Sequence, residues 1–202
     1  MKPAKVVGKR RPDRSRDPEE SRRALLDAAA RLFNSVGYHG TDSNRIARAA
    51  GYAPGTFYAH FPDKMAIFLA VYDGWVAAEL SAMSRTLESE GNAQARRCRL
   101  AATILEHHRK WRVFRASLRA LYATDPVVRK ARLAQRQRQI ETLAATFKSR
   151  GRPVPNRATL LARLLTFEVM CDAVADGDCD RLGIPESDIL SLLVESLRHP
   201  AS

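Results

Sequence analysis

A chain of 202 residues with 34 Lys and Arg against 22 Asp and Glu carries a formal net charge of +12, which favours nucleic acid or another polyanion as a partner. Gly and Pro are sparse, at 10 each, and the apolar share is 45%, rich in Ala and Leu, so the composition fits an all-helical globular protein of one or two units. The three cysteines, Cys98, Cys171 and Cys179, form neither a disulfide framework nor a metal-ligand spacing, and no apolar run of bilayer length is read, so a cytoplasmic, nucleoid-associated protein is expected.

In chain order, residues 1–17 come first as a basic tail. Over residues 1–16, Lys2, Lys5, Lys9, Arg10, Arg11, Arg14 and Arg16 stand against Asp13 alone, with no periodicity and no apolar leader segment. Such an arm is expected to be disordered in isolation and to contact phosphates or a minor groove; a plain solvated extension is the alternative. Residues 22–36 then repeat apolar positions at helical spacing: Leu25, Ala28, Ala29, Leu32, Phe33 and Val36. Glu19, Glu20 and Ser21 suit the helix start and Gly37 its end. A short second helix follows the cap candidates Gly40 to Ser43, buries Ile46, Ala47 and Ala50, and stops at Gly51. Pro54 opens a third. In it Phe57 and Phe61 share the core stripe, while Gly55, Thr56 and Ala59 lie opposite and Tyr58 and His60 flank. Small residues with polar flanks are what a helix needs to approach base edges between phosphate walls. Two short helices joined at a glycine make a helix-turn-helix.

The residues Ala28, Leu32, Phe33, Gly37-Tyr38, Thr41, Ile46-Ala47, Ala50-Gly51, Gly55-Thr56-Phe57-Tyr58, His60-Phe61, Lys64 and Phe68 are similar in order and spacing to the DNA-binding domain of the TetR family of bacterial transcriptional regulators. The resemblance spans residues 22–74. It implies phosphate contacts for Tyr58, His60 and Lys64, and a phosphate or base contact for Thr56. Ser43, Asn44 and Arg45 open the second helix and add candidate contacts: Asn44 matches adenine, and Arg45 matches guanine or phosphate. Pro54 and Gly55 allow apolar or close backbone approach. Ser43 departs from the apolar residue usual in the family, and Ala53-Pro54 from its usual cap and polar residue. Operator sequence is therefore not transferable from relatives.

Beyond Lys64 a long helix is expected to about 89, then helices near 93–109, 110–124, 126–150, 157–176 and 186–198. The expected architecture is all-α: a helix-turn-helix domain over 18–63 and a larger helical domain over 64–202. The resemblance gives the latter effector binding and dimerisation. Between Arg96 and Arg152 sixteen Lys or Arg meet only Glu106, Asp125 and Glu141, whereas acids dominate after Val154. Three readings fit: a solvated face, pairing with the acidic helices, or the mouth of a pocket for an anionic effector such as an acyl-coenzyme A. Trp75, Trp111, Phe114, Tyr122, Phe167 and Met170 are candidate pocket-lining residues, with ordinary core as the alternative. The apolar bands of 157–176 and 186–198 are the candidate homodimer surface.

Chemistry for catalysis or metal binding is not found. His107 and His108 point about 100° apart on a helix, and Asp176 to Asp180 mimics the start of a calcium loop but has Arg181 where the loop needs glycine. The expectation is a ligand-responsive repressor on a palindromic operator, without enzymatic activity, cofactor or metal. A non-specific architectural DNA-binding protein and a ligand carrier on the same fold are the alternatives.

Overall fold

Residues 17–197 are described by the computed structural model, and among them the chain forms ten helices and no strand. The basic tail over 1–16 and its expected DNA contact lie outside the described residues. Helix α1 (Pro18–Val36) starts four residues before the expected 22. Asp17 accepts the Glu19 N–H at 2.9 Å, and Pro18 suits the first turn, where its missing donor costs nothing. The same short-side-chain capping sets most later boundaries. Asp42 caps α2 (Ser43–Ala50), Asp63 caps α4 (Lys64–Glu88), and Asn92 caps α5 (Ala93–Lys110). Asp125 caps α7 (Pro126–Ser149) and Asn156 caps α8 (Arg157–Asp176). Between these lie α3 (Pro54–His60) and α6 (Arg112–Thr124), and α10 (Glu186–Ser196) closes the described chain. Gly51 ends α2 at φ 84°, a left-handed conformation that turns the chain into α3 and that side chains with a Cβ adopt only at a cost.

Two expectations need correction. The acidic loop after α8 is itself one helical turn, α9 (Asp178–Arg181). Arg181 donates to the Asp178 carboxylate at 2.9 Å and Arg119 takes Asp176, so cations sit where a calcium loop would leave oxygens free. No His, Cys, Asp and Glu grouping suited to a metal occurs among the described residues. Helix α4 is also apolar and long enough, by composition alone, to cross a bilayer, with mean hydropathy 1.3 over its best window. In the fold, Ile67, Phe68, Val71, Tyr72, Trp75 and Val76 of this helix are buried against other helices.

Two apolar cores result. The first joins α1, α2 and α3 to α4 through Leu25, Phe33, Ile46, Phe57 and Phe68, then takes in Phe114, Leu118 and Leu121 of α6. Phe68 is the hinge of this packing, set edge-on to Phe33 (5.1 Å between ring centres) and tilted on Phe114 (4.9 Å). The second core unites α5, α8 and α10 through Leu100, Ile104, Leu105, Phe167, Cys171 and Leu193. Burial of such side chains stabilises by about 1.5–3 kcal/mol each before the entropy of ordering is subtracted. Helix α1 is also fastened to α6 by polar contacts. Asn34 donates to the Lys110 carbonyl at 2.6 Å and accepts the Phe114 N–H at 3.2 Å, straddling the break at Trp111 between α5 and α6. Ser117 accepts the Tyr38 N–H at 3.0 Å.

Candidate nucleic-acid interface and internal cavity

The turn Gly51–Ala53 sets α3 against α2, with Ile46, Ala47 and Phe57 fully buried between them and α1. The outer face of α3 is what remains. Pro54, Gly55, Tyr58 and Ala59 are exposed, Thr56 and His60 half-buried. Tyr58 is 57% exposed, and a side chain at Gly55 would meet nothing within 4 Å. At the start of α2, Asn44 and Arg45 are exposed and Ser43 half-buried. Arg45 already donates to the Gly40 carbonyl at 2.8 Å, which fixes its stem and leaves further guanidinium donors free.

His60 and Lys64 have protein partners that the sequence did not announce. Ser21 Oγ donates to the Pro18 carbonyl at 3.0 Å and shares a hydrogen bond with His60 Nε2 at 2.7 Å, which ties the end of α3 to α1. The Lys64 ammonium donates to the carbonyls of Tyr38 (3.0 Å) and Thr41 (2.9 Å) and lies 4.0 Å from the centre of the Tyr38 ring. Burial lowers its pKa, with Asp42 acting the other way. Two of its three donors thus brace the loop between α1 and α2, and the third makes no hydrogen bond among the described residues.

A second feature lies inside the larger helical part: a cavity of about 240 Å³ between α4, α5, α7 and α8. Its middle is apolar, formed by Met83, Leu100, Ile104, Leu143, Leu160 and Leu164. Trp75 and Phe167 of the six aromatic and Met candidates line it. The other four do not. Phe114 is wholly buried in the first core, Trp111 and Tyr122 pack against that core, and Met170 packs against the second. A helical residue presents only one face, and periodicity alone cannot say which apolar face meets a void.

The cavity has two polar ends. At the end near the α4–α5 and α7–α8 connections stand Arg96, Arg97, Arg150, Arg152 and Arg163, and none of the five has a carboxylate partner among the described residues. At the other end Arg115, only 3% exposed, donates to Asp172 at 2.6 and 2.7 Å and to Glu168 at 3.1 Å. Arg132 and Arg136 also bind Glu168, and Arg119 binds Asp172 at 2.7 Å. His108 Nδ1 meets Asp172 at 2.8 Å while its Nε2 lies 3.3 Å from Glu79 Oε1. The basic middle of the sequence is therefore divided. Part of it pairs with acids of α8 inside the subunit, and part lines the cavity without such partners.

This network sets its own charges. Burial would raise the Asp172 pKa, but hydrogen bonds from His108 and Arg115 outweigh it and hold the carboxyl far below its usual range. Glu168 is likewise lowered, burial being outweighed by Arg132, Arg136 and Arg115. His108 is raised because Asp172 and Glu79 overcome its desolvation, whereas burial lowers its neighbour His107. Burial pushes the Tyr72 phenol up to about 12, so it stays neutral. Glu79, His108, Arg115, Glu168 and Asp172 were not singled out as site residues from the sequence. The available signal was Glu79 in the apolar stripe Phe68, Tyr72, Trp75 of α4, where a carboxylate needs a partner.

Residues 25–71 match the family model described as "Bacterial regulatory proteins, tetR family". The transcriptional repressor AcnR of Corynebacterium efficiens is 25% identical over 190 residues, covering 91% of this chain and 95% of the relative. RutR of Escherichia coli is 36% identical over 77 residues, which cover 36% of this chain and 34% of that regulator. Among solved structures, a Rhodococcus protein described as a TetR-family transcriptional regulator covers 89% of this chain and 97% of its own, with TM-score 0.71 and 19% identity. The fatty acid degradation regulator FadR of Bacillus halodurans covers 89% and 97%, with TM-score 0.65 and 18% identity. At these identities the structural matches establish the shared all-helical fold.

Proposed function

The chain is a TetR-family DNA-binding transcriptional regulator, a class without enzymatic activity, and from that premise we propose that it is a cytoplasmic homodimeric repressor. It binds an inverted-repeat operator through α2 and α3 and is released when an anionic small molecule, such as an acyl-coenzyme A, fills the internal cavity. The units are the helix-turn-helix part over 18–63 and the effector and dimerisation part over 64–202, with the basic tail adding phosphate contacts. The observation that carries the DNA reading is the outer face of α3, where exposed Pro54, Gly55, Tyr58 and Ala59 back onto buried Phe57. A face of small residues flanked by a phenol is shaped for close approach to a groove. Tyr58, His60 and the remaining Lys64 donor are the phosphate contacts, while Ser43, Asn44, Arg45 and Thr56 are placed to add base or phosphate contacts.

Two features support the rest. On α8, Leu165 and Val169 are 44% and 65% exposed, and on α10 Leu192 is 53% exposed. Such surface fits an isologous two-fold interface between copies. The five arginines without carboxylate partners favour an anionic group on the effector. Filling the cavity acts on Trp75 of α4 and on His108 and Arg115, which lie two residues from Lys110 and next to Phe114, whose backbone groups Asn34 of α1 holds. Occupation can therefore move α1 and its reading helix together, favouring a dimer whose two heads no longer match successive grooves.

Gly55→Glu tests the DNA reading cleanly. Open space receives the new side chain and a helical glycine is removed, so folding is retained. A carboxylate facing phosphates is expected to weaken operator binding by at least about tenfold. Unchanged binding would show that α3 does not face DNA.

A further inference from the structure

Among the described residues, three buried side-chain polar atoms lack a hydrogen-bond partner: Trp75 Nε1, Glu79 Oε1 and Arg97 Nε. All three belong to residues lining the one cavity. Buried polar groups are otherwise satisfied in folded proteins, so unmet groups on residues that line a void are candidates to meet a ligand that enters it. The three are not equivalent. Arg97 stands at one end with the other arginines that lack carboxylate partners. Trp75 and Glu79 stand at the opposite end, beside His108 and Arg115, at i and i+4 on α4 and so on one face.

The inner end is otherwise closed to ligands by its own pairing. Asp172 and Glu168 are filled by His108, Arg115, Arg119, Arg132 and Arg136. Glu79 differs. It is 7% exposed, and its Oε1 faces His108 Nε2 at 3.3 Å as an ion pair, without hydrogen-bond geometry, so this oxygen keeps accepting capacity. Trp75 is 4% exposed, with Arg115 4.8 Å from its ring centre and His107 stacked on it at 5.0 Å, so its ring is covered while its N–H goes unused. One unmet donor and one unmet acceptor a turn apart match a hydroxyl, which donates one hydrogen and accepts through its lone pairs.

We infer that the effector is an elongated amphiphile with an anionic group at the arginine end and a hydroxyl at the far end of its apolar chain, donated to Glu79 and receiving the Trp75 N–H. This rests on the cavity being the effector site. Helical rise along α4 from Glu79 to Leu87, both lining residues, gives an apolar run of about 12 Å between the two ends. That run suits a medium-length hydroxyacyl chain. The anion is either a free carboxylate or the phosphates of a coenzyme A thioester, since guanidinium forks bind both.

The test uses the full-length protein and four probes: decanoate, 10-hydroxydecanoate and the coenzyme A thioester of each, titrated calorimetrically. Within the free acids or within the thioesters, the hydroxylated member is expected to bind about tenfold or more tightly, the usual effect of a hydrogen bond to a charged buried group. The pair that binds identifies which anion the arginines take. Glu79→Leu is expected to collapse the preference for the hydroxyl, and Trp75→Phe, which keeps the ring packing, to reduce it. Binding of decanoyl and hydroxydecanoyl probes with equal affinity, or a preference that survives both substitutions, would overturn the hydroxyl assignment and leave the anionic site standing. Binding of none of the four would overturn the anionic effector reading as well.

Discussion

Tyr58 and Lys64 lie on adjoining elements and take opposite roles. Tyr58 is exposed and its phenol has no hydrogen bond to protein among the described residues, so Tyr58→Phe is expected to leave stability within about 0.5 kcal/mol. The same change should weaken operator binding by about 1–2 kcal/mol, the range for one hydrogen bond to a charged phosphate, read by titrating a labelled operator. Lys64→Met does the reverse at first order. It frees the carbonyls of Tyr38 and Thr41 and should cost about 1–3 kcal/mol in a denaturant melt. Buried charges give a pH signature of their own. Asp172 and Glu168 are held below their ordinary values of 3.8 and 4.5, so their contribution is present above about pH 4.5 and is lost as pH falls through the lowered values. His108 is raised above 6.5, so its contribution is present below that and is lost as pH rises through the raised value. Melting temperature should therefore fall below pH 4.5 and decline again on the alkaline side of 6.5. In His108→Gln the alkaline decline should be smaller.

Helix α8 shows how one element serves two surfaces. Leu160, Phe167, Cys171 and Val174 are buried, Leu164 lines the cavity, and Leu165 and Val169 are exposed at i and i+4 on another stripe. Val169→Glu is expected to leave the monomer folded, because the side chain is exposed, and to convert dimer to monomer in sedimentation equilibrium. An unchanged dimer would move the interface elsewhere. The contrast also explains what was legible in the chain. The first three helices were readable because their signals are local: Asp42 and Gly51 as caps, and Phe57 with Phe61 at helical spacing. The start of α1 was misplaced because Asp17 and Pro18 sit at the edge of the basic tail and the apolar pattern begins only at Leu25. The short α9 went unread because four residues carry no period. The Lys64 brace and the Glu79–His108–Asp172 contacts were not legible, since their partners lie between 23 and 64 residues apart and no local pattern encodes them.

At the scale of the molecule, charge and packing divide the work. One core fixes the reading helices to α4 and α6, and a second holds α5, α8 and α10. The cavity touches both, through Trp75 and Leu118 of the first and Leu100 and Phe167 of the second. A ligand placed there would contact the packing that positions the DNA-binding end, which would give the proposed coupling its physical basis. The net charge of +12 would by itself produce salt-dependent binding to any duplex, so sequence preference is what separates a regulator from a coating protein. The most direct measurement is selection of binding fragments from random duplex DNA by the full-length protein at near-physiological salt. The two-fold reading of the α3 surface predicts enrichment of a single inverted repeat whose half-sites lie about one helical turn or a multiple apart. Retention of DNA without an enriched motif, or no retention, would contradict it.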